Sequence, residues 1–183
     1  MSVGEAVAPK LLRFWSSHAS TGMSVAPQPP SRTEGSGTFS VASYNIRSGR
    51  AGGMASALRA MAALGVDVGV FQETKVTNGI YARSGSGYSV FATDANSAWQ
   101  GGVALFWREH DLFVVEEQQA WGPNVISWHM VTGRERFYCI GAYIPPTDLS
   151  ALEYIDKAWK ACPKHCKPML MGDLNIDLEY PRN

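Results

Sequence analysis

The sequence predicts an α/β domain that begins with a strand–helix–strand unit and continues into an antiparallel meander. Three segments predict the first unit: an apolar strand at Phe39–Asn45, a helix at Met54–Leu64 and a second apolar strand at Val66–Thr74. The helix has good helix formers with apolar residues along one face, and Gly65 ends it. A strand, a helix and a strand joined by short loops predict parallel pairing of the two strands.

Later segments predict the meander, because they are strand-like and are joined by turns without helices. They are Tyr88–Thr93, Gly102–Trp107, Val125–Val131 and Arg136–Ile144. Residues Thr132–Glu135 have the composition of a hairpin turn between the last two. A capping box formed by Ser150 and Glu153 predicts the start of a second helix, which Pro163 ends. A final short strand is predicted at Met169–Gly172.

Composition excludes several classes of protein. The chain has 183 residues, of which 45% are hydrophobic and 17% charged, which is unlike a disordered protein or a coiled coil. The longest apolar run, Phe137–Ile144, is far shorter than the roughly 20 residues of a membrane span, so no membrane partner is expected. The 16 basic residues balance the 16 acidic ones, so any binding of nucleic acid depends on a local basic patch.

The first 37 residues differ in composition from the rest. The segment Ser24–Gly37 is rich in Pro, Ser and Gly, which predicts a flexible linker. We therefore expect a tail at residues 1–37 and a domain at residues 38–183. Lys10 and Arg13 beside serines leave a mitochondrial transit peptide as an alternative, against which Glu5 argues.

Three cysteines do not make a disulfide framework, and their odd number predicts a reducing compartment in the nucleus or cytoplasm. Cys162, His165 and Cys166 have spacing that would suit zinc, but a fourth ligand with sensible spacing is missing. We therefore expect structural roles for these residues.

Polar side chains follow the apolar strands at several points, where loops of an α/β sheet converge and ligands bind. They are Asn45, Glu73, Tyr143, Asp173 and Asn175. Taken singly, the amides and Gly-Asp are typical of turns, and the tyrosine is typical of a core. Glu73 ends an apolar strand, so its burial requires a metal or a cationic partner. Two carboxylates and two amides together would suit Mg²⁺, which prefers oxygen ligands.

The order of these motifs carries a family resemblance. The chain reads Ser-Tyr-Asn45-Ile-Arg, Phe-Gln-Glu73-Thr, Gly101-Gly102-Val-Ala-Leu, Ala-Tyr143-Ile-Pro145 and Met-Gly-Asp173-Leu-Asn175. This order and spacing resembles the endonuclease/exonuclease/phosphatase superfamily, which includes apurinic endonucleases. The Gly-Gly-Val-Ala-Leu strand and the Tyr-Ile-Pro turn look most like the endonuclease domains of non-LTR (LINE-type) retrotransposons.

The resemblance implies a DNase I-like fold, a four-layer α/β sandwich of two mixed β-sheets with helices outside. It implies that Glu73 binds a divalent metal, Mg²⁺ or Mn²⁺, and that Asn45 helps to place the metal and the phosphate. Asp173 would position or activate the attacking water, Asn175 would orient it, and Tyr143 would contact the scissile phosphate.

The implied substrate is the phosphate backbone of DNA, with RNA as an alternative. Arg47, Arg50 and Arg83 are candidate phosphate contacts, although a single arginine is more often a solvated surface residue. Trp99, in the loop before Gly101, is a candidate for stacking on a base, and core packing is its alternative.

The sequence departs from the family pattern after Asn175. Family members continue through further strands to a terminal Ser-Asp-His, whereas here the chain ends at Asn183 and its histidines are His18, His110, His129 and His165. We therefore expect the C-terminal strands to be absent, leaving an unpaired sheet edge with exposed apolar residues, and activity to be weak or lost. The alternatives are a non-catalytic relic or fragment that binds nucleic acid or another chain, and a lipid or inositol-phosphate hydrolase of the same superfamily.

Overall fold

A computed structural model describes residues 11–12, 38–79, 81–83, 87–97, 99–133 and 135–175. For residues 11–12 and 81–83 the description covers the backbone alone. The predicted tail at residues 1–37 therefore lies outside the described residues, except for Leu11–Leu12, and so do the last eight residues.

The described strands form two mixed sheets. The first sheet has the order β1-β2-β3-β6-β5-β4, with β1 at Leu11–Leu12, β2 at Val41–Asn45, β3 at Val68–Gln72, β4 at Tyr81–Arg83, β5 at Tyr88–Ala92 and β6 at Val103–Arg108. The second sheet has the order β10-β9-β8-β7, with β7 at Phe113–Gly122, β8 at Val125–Thr132, β9 at Arg136–Tyr143 and β10 at Lys167–Asp173. Helix α1 spans Gly53–Ala63, and helix α2 spans Ala151–Lys160.

The predicted strand–helix–strand unit is confirmed. Strands β2 and β3 pair in parallel, with α1 as the connection between them. The predicted meander is also present, since β5 with β6 and β8 with β9 pair antiparallel. Strand β10 is parallel to β9, which makes the second sheet mixed as well.

The two sheets pack face to face, and each carries one helix on its outer face. Val70 and Leu105 of the first sheet share an apolar cluster with Trp128 of the second. The outer face of the first sheet packs against Leu58 and Met61 of α1. The outer face of the second sheet packs against α2. The predicted α/β sandwich of four layers is thus the observed architecture.

Strand β7 is a difference from the prediction, which assigned no strand to its residues. Its sequence is Phe-Val-Val-Glu-Glu-Gln-Gln-Ala-Trp-Gly, and it forms the edge of the second sheet beside β8. The register shifts between Glu116 and Gln119, where Glu117 has a positive φ of 50°. An exposed edge with a bulge does not show the alternation of apolar and polar residues on which strand prediction depends.

The second helix begins where the sequence predicts, but not through the predicted capping box. Ser150 precedes α2, yet its side chain makes no capping hydrogen bond. Its φ of −58° and ψ of −27° are helical, whereas a capping residue adopts extended backbone angles. The Ser150 amide donates instead to Asp148 Oδ1, at 2.9 Å.

Strand β10 lies at the edge of the second sheet, with β9 as its neighbour among the described strands. Its Leu170 is 38% exposed, and Trp159 of the adjacent α2 segment is 47% exposed. In the described part of the chain, neither helix is long and apolar enough to span a membrane.

Candidate active site

Four of the predicted side chains meet at one end of the gap between the sheets. The Asn45 amide nitrogen Nδ2 donates to Glu73 Oε1 at 2.8 Å and to Asp173 Oδ2 at 3.0 Å. The Tyr143 hydroxyl also donates to Glu73 Oε1, at 3.1 Å. The two carboxylates therefore lie within two hydrogen-bond lengths of each other, although 100 residues of sequence separate them.

Strand alternation explains why three of these side chains point into the gap. Successive residues of a strand face opposite sides of the sheet, so residues two or four apart share a face. Val41, Cys139 and Met171 belong to the core between the sheets. In β2, Asn45 is four residues after Val41, and in β9, Tyr143 is four residues after Cys139. In β10, Asp173 is two residues after Met171. Each therefore points into the same gap, at the carboxyl end of its strand.

Glu73 reaches the gap by a different route. It follows the end of β3 with a left-handed backbone, φ 53°, and Lys75 repeats this conformation at φ 54°. Such a backbone costs a residue with a side chain about 1 to 3 kcal/mol unless its surroundings enforce it. The carbonyl groups of Gly102 and Gly101 accept the amides of Thr74 and Lys75, at 3.2 and 2.9 Å. These bonds hold the strained segment and so position the Glu73 carboxylate.

The double glycine is held in turn by Asn124, in the turn between β7 and β8. Asn124 is buried, and its Oδ1 accepts the Gly102 amide at 2.9 Å. Its own carbonyl accepts the Tyr143 amide, also at 2.9 Å. A Cβ at Gly102, whose φ is +89°, would lie 2.2 Å from Thr74 Oγ1, so this position requires glycine. Asn124 carries no sequence signal for this role, because the contact depends on the two sheets meeting.

The charged state of the site follows from these contacts. Partial burial acts to raise the pKa of Glu73, but the hydrogen bonds from Asn45 and Tyr143 and the neighbouring Lys75 ammonium outweigh it and lower that pKa. Burial and the nearby Glu73 and Asp173 carboxylates raise the pKa of Tyr143 to about 12. At neutral pH the site thus has an ionised glutamate beside a protonated phenol.

Lys75 is the cationic partner that the burial of Glu73 requires, and no motif in the sequence predicts it. Its ammonium Nζ lies 3.4 Å from Glu73 Oε2, and both side chains are about one fifth exposed, at 22% and 23%. A lysine after a strand is typical of a solvated loop, so its sequence context alone gives no sign of this role.

The donor set fits a hard divalent cation. It consists of the Glu73 and Asp173 carboxylates, which supply oxygen ligands, and of Asn45, whose Nδ2 contacts both carboxylates and whose Oδ1 accepts the Arg47 amide. No cluster of three or more His, Cys, Asp and Glu side chains occurs in the described part of the chain. The protein can therefore supply one or two carboxylates, which is the number Mg²⁺ commonly takes alongside water and substrate phosphate.

Two further predicted residues lie beside this group. Asn175 is exposed with a φ of 46°, and its Nδ2 donates to the Ile144 carbonyl at 2.9 Å, beyond the end of β9. The Arg47 amide donates to Asn45 Oδ1 at 2.9 Å, while its side chain is exposed. The first bond fixes the chain after Asp173, and the second fixes the backbone of Arg47 to the Asn45 side chain.

Arg50 and Trp99 border a groove that opens next to Lys75. The groove has a volume of about 340 Å³, and its lining residues are Ser48, Arg50, Ala51, Lys75 and Trp99. The Arg50 guanidinium lies 5.8 Å from the centre of the Trp99 ring. Trp99 is 82% exposed, which rules out the alternative role in the core. The side chain of Arg83, in β4, lies outside the described residues.

The described histidines lie away from the Glu73 and Asp173 carboxylates. His110 is 3.8 Å from Asp67, which stands at the opposite end of β3 from Glu73. His129 is in the middle of β8 and contacts Glu117. His165 precedes β10, whose far end carries Asp173. None of these three can take the role of the terminal histidine, while His18 lies outside the described residues.

Comparison with solved structures gives the fold its name. With a TM-score of 0.57 and 20% identity, the structure is similar to the endonuclease domain of TRAS1, a telomere-specific non-LTR retrotransposon, covering 77% of this chain and 61% of that one. An endonuclease/exonuclease/phosphatase family protein from Bacteroides thetaiotaomicron gives 0.52 at 16% identity, covering 78% and 65%. The chain has the endonuclease/exonuclease/phosphatase fold.

A third structure with this fold contains nucleic acid. It is the 3′ phosphatase NExo from Neisseria bound to a product DNA hairpin, with a TM-score of 0.51 at 18% identity, covering 74% of this chain and 57% of that one. The chain thus spans less than two thirds of the length of these three structures. No family model matches the sequence, and no curated protein matches it at a significant level.

Proposed function

We propose that this chain carries residues of a divalent-metal-dependent phosphodiesterase site that acts on DNA. The observation that carries the proposal is the convergence of Glu73, Asp173, Asn45 and Tyr143 at one end of the sandwich. Oxygen donors from both sheets, beside the Lys75 ammonium, suit the binding of a phosphate diester together with a cation.

The contacts support a role for Asn45, Tyr143 and Asn175, and the family resemblance supports that of Asp173. Asn45 holds the two carboxylates in fixed orientations, since one nitrogen donates to both. Tyr143 remains protonated at neutral pH because its pKa is raised to about 12, so its hydroxyl can act as a hydrogen-bond donor. Asp173 directs the attacking water, and Asn175 keeps the chain after it in place. Bound Mg²⁺ or Mn²⁺ would supply positive charge against the charge that develops on the phosphate.

Two arguments support DNA and a retrotransposon origin. The Gly-Gly-Val-Ala-Leu and Tyr-Ile-Pro motifs resemble the retrotransposon branch, whose TRAS1 domain shares the fold. Arg50 lines the groove together with Lys75, and Arg47 is exposed two residues after Asn45, so both are candidate cations for a phosphate backbone. We therefore propose an endonuclease of the apurinic-endonuclease type, with RNA as the less favoured substrate.

Activity of the isolated chain is expected to be weak, because none of its described histidines reaches the site. Loss of a general base typically costs about 10²- to 10⁴-fold in rate. A non-catalytic fragment that binds nucleic acid through the same surface is the second candidate, and this same observation favours it.

Nicking of supercoiled plasmid in the presence of Mg²⁺ tests the proposal, with intact and depurinated plasmid compared. We expect slow nicking that requires Mg²⁺, is faster on depurinated plasmid and is abolished by Glu73→Ala. Glu117→Ala is the matched control, since Glu117 is an exposed glutamate of edge strand β7 that contacts His129. Equal nicking by the wild type and Glu73→Ala would contradict hydrolysis at this site. DNA binding without nicking would favour the non-catalytic candidate.

A further inference from the structure

We propose that the groove lined by Arg50, Lys75 and Trp99 binds the phosphate of an unpaired nucleotide of the substrate strand, whose base stacks on the face of the Trp99 ring away from Arg50. This inference rests on the proposed function, because it specifies the substrate class of the same site. It predicts a preference for single-stranded or locally unpaired nucleic acid over continuous duplex.

The Trp99 loop is arranged so that the ring faces solvent. The Ser97 hydroxyl oxygen accepts the amides of both Trp99 and Gln100, each at 3.1 Å. The Gln100 carbonyl in turn accepts the Ser97 amide, at 3.4 Å. The loop ends at Gly101, whose left-handed φ of 84° leads into the β6 strand. An 82% exposed tryptophan leaves a large apolar area in water, which the hydrophobic effect opposes unless a partner covers it.

The charges of the groove suit a nucleotide. Arg50 and Lys75 both line it, so a phosphate in the groove lies near two cations while the base stacks on Trp99. The Arg50 guanidinium lies over one face of the Trp99 ring, 5.8 Å from its centre, which leaves the opposite face for a base. The volume of about 340 Å³ is at the lower end of the range for small-ligand pockets, about 300 to 1,000 Å³.

The position of the groove relates the nucleotide to the chemistry. Lys75 lines the groove and lies 3.4 Å from Glu73, so a base on Trp99 belongs to a nucleotide close to the scissile phosphate. In continuous duplex, neighbouring bases cover both faces of each base, and unstacking one costs a few kcal/mol. A free base has no such cost, which is why a stacking platform favours unpaired nucleotides.

Binding measured without hydrolysis tests this inference. The full chain is titrated in EDTA into fluorescein-labelled oligonucleotides, and binding is followed by fluorescence anisotropy. The three probes are single-stranded DNA, single-stranded RNA of the same sequence and blunt duplex DNA. Stacking of one base is worth about 1 to 3 kcal/mol, or roughly 5- to 150-fold in affinity. We expect Trp99→Ala to weaken single-strand binding within that range and duplex binding by less than about twofold.

Two variants separate stacking from other effects. Trp99→Phe keeps an aromatic face and should retain most of the single-strand affinity. Trp159→Ala removes a different exposed tryptophan, on α2, and should change neither affinity. A single-stranded probe that carries 2-aminopurine provides a direct readout, because its emission should be quenched by the wild type and not by Trp99→Ala.

Several outcomes would overturn the inference. They are an equal loss of single-strand and duplex affinity in Trp99→Ala, a Trp99→Phe variant as weak as Trp99→Ala, and no binding of single strands by the wild type. The plasmid assay distinguishes this failure from that of the proposed function. If nicking is absent but binding that depends on Trp99 persists, the proposed hydrolysis is refuted and this inference stands. If nicking occurs but binding does not depend on Trp99, only this inference is refuted. Preference for DNA or RNA is read from the two single-stranded probes.

Discussion

Glu73 accepts hydrogen bonds from side chains of both sheets: Asn45 from β2 and Tyr143 from β9. Together with the Lys75 ammonium, these bonds stabilise the charged form of a carboxylate that burial alone would destabilise. The hydrogen bonds of Glu73 therefore depend on the relative position of the two sheets. Displacement of either sheet would remove one of its two donors.

The lowered pKa of Glu73 determines how pH affects stability. A carboxyl group with a lowered pKa contributes stability that is present above its unfolded-state pKa, here 4.5, and is lost as pH falls through the folded-state value. Tyr143→Phe removes one donor, so the pKa of Glu73 should rise and this contribution should shrink. At pH 7 we expect a loss of about 1.5 kcal/mol in the free energy of unfolding.

Carbon-13 NMR titration of the Glu73 carboxyl measures the shift directly. Tyr138→Phe is the control, because the Tyr138 hydroxyl donates to Ser127 at 3.0 Å in the second sheet and makes no contact with Glu73. An unchanged pKa of Glu73 in Tyr143→Phe would contradict the hydrogen-bond account.

Among the elements, the loop before β6 and the turn before β8 act as a support for the β3 end. Gly102 is the point where they meet, because its amide donates to Asn124 and its carbonyl accepts the Thr74 amide. We expect Gly102→Ala to cost about 2 to 4 kcal/mol in the free energy of unfolding, from left-handed strain and a clash with Thr74. Gly65→Ala is the control for strain alone, since Gly65 has a φ of +69° with open space around it, and should cost about 1 kcal/mol.

Chemical denaturation of the two glycine variants gives both free energies. Equal losses in Gly102→Ala and Gly65→Ala would show that close packing at Gly102 contributes nothing, and would contradict its role in holding the Glu73 segment.

Asn124 provides a second test at the same scale. Asn124→Leu leaves the buried Gly102 amide without its acceptor, which should cost about 1 to 3 kcal/mol. Asn78→Leu is the control, because Asn78 is exposed in the loop after β3, and it should change the free energy of unfolding by less than about 0.5 kcal/mol. Urea denaturation of both variants measures the difference, and an Asn124→Leu variant as stable as Asn78→Leu would contradict the support role.

Prediction from sequence succeeded for elements whose residues have a regular pattern. The β2-α1-β3 unit and strands β5, β6, β8 and β9 show continuous apolar runs, alternation or helical spacing, and their ends differ from the prediction by only a few residues. Strand β7 escaped prediction because Glu116, Glu117 and Gln118 lie on an exposed, bulged edge. Pairing with β8 determines that these residues form a strand, and their local sequence does not indicate it.

For the whole molecule, the site exists because two sheets meet. The first sheet provides Asn45 and the segment with Glu73, and the second provides Tyr143 and Asp173. Gly141 permits the close approach of the sheets, since a Cβ there would lie 2.6 Å from Val70 Cγ1. The motifs predicted the first four residues. Lys75 and Asn124 carry no such signal: the left-handed backbone after β3 brings Lys75 onto Glu73, and the partner of Asn124, Gly102, is 22 residues away in sequence.

The central claim is that carboxylates from both sheets form one cation site, and thermal unfolding with added Mg²⁺ tests it most directly. A ligand that binds the native state raises its stability, by about 1.4 kcal/mol at ten times its Kd, or roughly 3 to 6 °C in Tm for a domain of this size. We predict a saturable rise in the wild type that is lost in both Glu73→Gln and Asp173→Asn and kept in Glu117→Gln. An unchanged Tm in the wild type, or an equal rise in all four proteins, would contradict the account.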